Sequence, residues 1–172
     1  MKKEQMNYII VALMILASAL TRLAPHPANF TPVTAMALFA AVYFARPAFA
    51  FIVPLGAMLL SDLFLGFTLI SPVIYAVMLA IACGGLLLKK RFSITSLLLT
   101  GLASSLFFFV TTNFAVWAIW DMYPKTLEGL VASYTAALPF YRNMAAGDLF
   151  YGFILFASYA LAIRPALERQ YA

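Results

Sequence analysis

RLAPHPANFTPVT, residues Arg22 to Thr34, lies between two apolar runs and decides how the chain is read. It holds the only histidine, three of the nine prolines, an arginine and an asparagine. Proline removes a backbone donor and fixes φ, so Pro25, Pro27 and Pro32 rule out one continuous helix here. In a chain this apolar, such a segment is either a plain exposed turn or the lip of a site.

The flanking sequence places that segment in a membrane protein. The 172 residues are 65% hydrophobic and only 10% charged, with a mean hydropathy of +0.97. Globular domains run nearer one half apolar and one quarter charged. Several apolar runs match the roughly 17–25 residues that cross a hydrocarbon core. No alternating strand pattern argues for a β-barrel. The expectation is an all-α, polytopic membrane protein forming a single integral membrane domain.

Lys2 and Lys3 precede an apolar run from about Tyr8 to Leu23. Ala17-Ser18-Ala19 resembles a signal-peptidase site, but apolar character continues past it, favouring a retained first helix. A short second helix follows from Val33 to Ala45, with Ala37, Ala41 and Ala45 on one stripe. Arg46-Pro47 ends it. A third helix runs to about Leu65, kinked at Pro54 and capped by Gly66. Ser71-Pro72 opens a fourth helix to Leu88, whose small-residue stripe is Ala76, Ala80 and Gly84. Ser93 caps a fifth, which runs to about Trp117.

Beyond Asp121, Leu127, Leu130, Val131, Tyr134 and Leu138 share one helical face. They suggest an amphipathic helix lying in the interface and ended by Pro139. A sixth span then runs from about Met144 to Ile163. Six spans put both termini on one side. With the N-terminus inside, Lys2, Lys3, Arg46, Lys89, Lys90, Arg91, Arg164 and Arg169 are internal, against Arg22, Lys125 and Arg142 outside. That imbalance places both termini in the cytoplasm of a cell bounded by this inner membrane. It also explains the net charge of +5 without nucleic acid, since the basic residues make no dense patch.

In this topology the polar side chains not needed for orientation gather in the outer half. Arg22, His26, Asn29 and Thr31 come from the opening segment, Asp62 from the third helix, and Asn113 and Trp117 from the fifth. Arg142 and Asp148 come from the start of the sixth. The inner halves are almost wholly aliphatic or small, so the pattern describes a cup open to the outside. Charged residues within spans are functional candidates because they are costly there. Asp62 either meets a solute or pairs with Arg22 or Arg142 to tie helices together. Asn113 needs partners in a low dielectric, and Trp117 lies one turn from it. Arg142 and Asp148 have blander readings, as a loop charge and a first-turn carboxylate. His26 reads as well as a capping histidine.

Enzyme chemistry is not indicated. One histidine and one cysteine, Cys83, do not make a tetrahedral zinc site. HExxH, GxSxG and P-loop strings are absent, and no cofactor is expected. A channel would need polar residues along its whole path. The expected partners are a small-molecule solute and the lipid bilayer, and the other class of reading is a non-transporting assembly subunit whose polar cluster is structural.

Four blocks carry a resemblance: HPANFTPVTAMALFAAVYF from His26, PLGAMLLSDLFLG from Pro54, TTNFAVWAIWDMYP from Thr111 and ALPFYRNMAAGDLFYG from Ala137. They resemble an uncharacterised family of small bacterial membrane transport proteins. That family resembles in turn the substrate-binding S components of energy-coupling-factor transporters, six-helix proteins that capture vitamins or metal ions from outside. The resemblance implies that the His26–Pro32 loop, the outer end of the third helix and the Asn113–Trp117 turn line a solute cavity. It also implies an energising T subunit and two ATPases as partners. Many S components dock the T subunit through Ala-x-x-x-Ala on the first helix. Here Ala12 is followed four residues on by Leu16, and Ala17 by Thr21.

Overall fold

The computed structural model describes residues 3–163, and every regular element among them is helical. The helices are α1 (Lys3–Leu23), α2 (Val33–Tyr43), α3 (Phe49–Leu65), α4 (Ser71–Lys90), α5 (Ile94–Ile119) and α6 (Leu127–Ser158), and a π-helical turn, Tyr159–Ile163, continues α6. Four of them, α1, α4, α5 and α6, are long and apolar enough to cross a membrane. The other two are shorter: α2, with 11 residues, rises about 16 Å, roughly half a hydrocarbon core.

Local sequence signals set most boundaries. Gly66 ends α3 at φ 87°, a conformation that suits glycine, and its N–H returns to the Asp62 carbonyl. Ser93 and Ser96 form a reciprocal capping box at the start of α5. Pro72 occupies the first turn of α4, where a missing N–H costs nothing. Pro54 lies inside α3, as expected.

The segment after Asp121 departs from expectation. No separate interfacial helix exists among the described residues; α6 is one helix of 32 residues that runs straight through Pro139. Ahead of Pro139 its buried face is Gly129, Ser133 and Ala137. The apolar face that suggested an interfacial helix points outward instead, with Leu127 72% exposed and Val131 and Leu138 also exposed. In a lipid-facing helix the apolar residues look out and the small ones pack, which inverts the usual amphipathic reading.

α2 is the hub. It packs against all five other helices, and every residue from Val33 to Ala41 is buried. Gly85 of α4 lets the two backbones approach, since a Cβ there would meet the Ala41 Cβ at 2.8 Å. The stripe of α4 that packs on α2 is therefore Ala82 and Gly85, whereas the expected stripe has Ala76 and Ala80 exposed and Gly84 with nothing within 4 Å. Around the Tyr43 end of α2, Phe39, Phe44, Phe49 and Phe156 form a buried aromatic plug with Tyr43 and Tyr159 against it. At that same end the Lys89 ammonium donates to the Phe44 carbonyl at 2.7 Å. The other end of α2, by contrast, opens into a cavity.

Candidate functional site

Where α2 stops short, the coil 24–32 covers its N-terminus. Asn29 takes φ 64°, a left-handed conformation asparagine tolerates. The Phe30 N–H bonds the Pro27 carbonyl at 2.9 Å, closing a tight turn. Two contacts hold the turn to α6: the Asn143 amide donates to the Ala28 carbonyl at 3.1 Å, and the Phe30 ring packs on Phe150 and Tyr151. Gly147 makes the approach close, because a Cβ on it would lie 3.3 Å from both the Phe30 Cα and the Thr31 N.

Beneath this coil lies a cavity of about 350 Å³. Its wall includes Arg22, His26, Asn29 and Thr31 from α1 and the coil, Asp62 from α3 and Asp148 from α6. Thr34, Thr68 and Ser71 add hydroxyls, and Met58, Ile74, Met78, Phe108 and Met144 supply the apolar wall. A second cavity of about 410 Å³ adjoins it and shares Asn29, Ile74, Phe108 and Met144. This chamber is mainly apolar, with aromatic rings at Phe109, Trp120, Tyr123, Phe140 and Tyr141, and carries Thr112, Asn113 and Ser133 among its polar groups.

Two acidic groups border the first chamber in different states of pairing. Asp62 is 6% exposed. Its Oδ1 takes the Arg22 Nη2 at 2.5 Å and its Oδ2 the Tyr75 hydroxyl at 3.0 Å. The Arg22 Nε donates to the Ser61 hydroxyl at 2.6 Å, so α1, α3 and α4 are joined by one polar network. Asp148 is 8% exposed and forms no salt bridge among the described residues. It accepts from the Ser105 hydroxyl at 2.7 Å, with the Thr34 hydroxyl as its other polar neighbour.

Of the residues singled out from the sequence, Arg22, His26, Asn29, Thr31, Asp62 and Asp148 meet at the first chamber, and Asn113 at the second. The Asn113 side-chain amide donates back to the Phe109 carbonyl at 2.8 Å, and its backbone carbonyl accepts from the Ser133 hydroxyl at 3.4 Å. His26 is exposed at the lip, with Nδ1 2.8 Å from the Ala24 carbonyl. Trp117 lines neither chamber. Its indole N–H donates to the Pro124 carbonyl at 2.8 Å, and the Lys125 ammonium bonds the Trp117 and Trp120 carbonyls, so the α5–α6 turn takes it up. Arg142 is exposed in a separate shallow groove with Leu138, Pro139 and Asn143.

Sequence reasoning missed Ser61, Tyr75, Thr34 and Ser105. Ser61, Tyr75 and Ser105 lie in largely apolar helices, and Thr34 lies at the start of α2. The signal that points to them is indirect, since a carboxylate held in such a run requires donors nearby.

The model of a family described as "Family of unknown function (DUF6580)" matches residues 2–170. No curated protein and no solved structure matches the chain.

Proposed function

The chain belongs to this DUF6580 family of unknown function, and on that premise we propose that it is a membrane-embedded solute-binding transport protein. It acts without catalysing a reaction, takes a small polar organic solute from the outer side and holds it between α1, α2, α3 and α6. The carrying observation is one of convergence. Side chains from distant parts of the chain, Arg22, Asp62 and Asp148 among them, border one cavity over the end of a short central helix. Non-helical backbone at membrane depth is tolerated where it lines a water-filled cavity, and the coil 24–32 fits that role. The aromatic plug at the Tyr43 end supports a closed cup rather than a pore.

In this reading α2 with its coil and α3 complete six spans, and the cavity faces outward because Arg46, Lys89, Lys90 and Arg91 cluster at the other end. The resemblance of that family's helix pattern to S components supports a delivery role of that type, in which a T subunit and ATPases are partners. A second reading is favoured by one observation. Both Asp62 oxygens are already taken by protein donors, which suits an assembly subunit with a purely structural polar cluster. Native mass spectrometry of the full chain from mild detergent separates the two. A bound small molecule supports solute capture, and a stoichiometric protein partner without one supports the assembly role.

A further inference from the structure

The charge balance of the first chamber is uneven. Arg22 is committed to Asp62 at 2.5 Å, Arg142 lies in another groove, and His26 sits at the exposed lip. Asp148 is left as a buried carboxyl group bordering the cavity, with the Ser105 and Thr34 hydroxyls beside it and no salt bridge among the described residues. A charge buried this way is costly unless it is paired. A helix lock alone does not require it: an asparagine at 148 accepts from Ser105 equally well and carries no charge to desolvate.

Building on the solute-binding reading, we propose that the corner formed by Asp148, Ser105 and Thr34 seats a protonated primary amine, so that the captured solute carries an ammonium group. An ammonium is a compact cation with three donors, and on the cavity side the corner offers the Asp148 carboxyl and the Thr34 hydroxyl, with the fully buried Ser105 holding the carboxyl from behind. Hard metal cations draw on six or more oxygen ligands, and here the Gly101 carbonyl is already engaged by Ser105 at 3.1 Å. The aromatic chamber begins at Phe108 and Met144, which both cavities share. The body attached to the amine therefore extends away from Asp148 towards Trp120.

The probe is phenethylammonium chloride, titrated into the full chain in lipid nanodiscs and read by tryptophan fluorescence, Trp120 being in the chamber wall. The uncharged N-acetyl derivative is the comparison. Phenethylammonium gives a saturable response, the acetyl derivative binds at least roughly tenfold more weakly, and Asp148→Asn removes that preference, on the scale of one hydrogen bond to a charged group. Equal responses to both compounds in the unaltered protein overturn the proposal without needing any variant. So does a preference that survives in Asp148→Asn, or a response that sodium chloride alone reproduces, which assigns the corner to an inorganic cation. A chain that ignores phenethylammonium yet copurifies with a small molecule lacks the amine seat and keeps its solute-binding role. A chain that shows neither loses both.

Discussion

Arg22 near the end of α1 and Asp62 near the end of α3 stand 40 positions apart in sequence and 2.5 Å apart in space, Nη2 to Oδ1. The pair joins two helices at the rim of the cavity. Tyr75 and Ser61 complete its hydrogen bonding, so it is a closed network rather than a lone contact. Removing one partner of a fully buried pair costs about 3–5 kcal/mol. The Arg22 side chain is 22% exposed, and water at the rim reduces that figure. Asp62→Asn is expected to lower stability by about 1–3 kcal/mol, and Tyr75→Phe by about 0.5–1.5 kcal/mol. Thermal melts of both variants check this, and an unchanged melt for Asp62→Asn removes the pair from the stability of the bundle.

Gly129 permits the α5–α6 turn. A Cβ there would stand 2.0 Å from the Pro124 carbonyl oxygen, which is backbone. Gly129→Ala must therefore move the turn that Trp117 and Lys125 hold, and is expected to cost about 1–3 kcal/mol. Gly84→Ala, with nothing within 4 Å, is expected to be neutral or slightly stabilising. Melting the two side by side reads the difference, and equal behaviour contradicts the close approach.

Phe30 is the anchor of the coil over the cavity. Phe30→Ala removes two aromatic contacts, each worth about 0.5–1.5 kcal/mol. Amide exchange in residues 24–32 is expected to quicken while that in the α2 hub stays slow. Uniform quickening through α2 would mean that the coil is part of the core rather than a cover on it.

These sites show how far the sequence reaches. Capping at Ser93, the proline start of α4 and the glycine stop at Gly66 are local chemistry, legible because neighbours within four residues decide them. Arg22, Asp62 and Asp148 were legible for a different reason, since ionisable groups in apolar runs must gather. The continuity of α6 was not. Pro139 reads as a stop in water, yet a helix packed against others accommodates it, and the outward apolar face looks the same whether it meets lipid or an interface. Trp117 lies outside both chambers, its one donor having a partner seven residues on at Pro124, a relation fixed by the turn. Ser105 and Thr34 show no periodicity, and only the position of Asp148 reveals them.

The direction of the bundle is open to labelling. Cysteines replacing Lys90 and Lys125 one at a time, with the exposed Cys83 first changed to serine, are expected to react with an impermeant maleimide from opposite faces of the membrane. Reaction from the same face contradicts the alternation of α4, α5 and α6.

The most direct measurement is of what the cavity carries. Ile74 lies in the wall shared by both chambers, so Ile74→Trp fills the space without replacing any member of the Arg22–Asp62 network. Small molecules released from equal amounts of folded wild-type and Ile74→Trp protein are compared by mass spectrometry. A solute-binding protein yields a near-stoichiometric compound from the wild type that is lost or sharply reduced in Ile74→Trp. No such compound from the wild type, or the same yield from both proteins, contradicts the assignment of this cavity to solute.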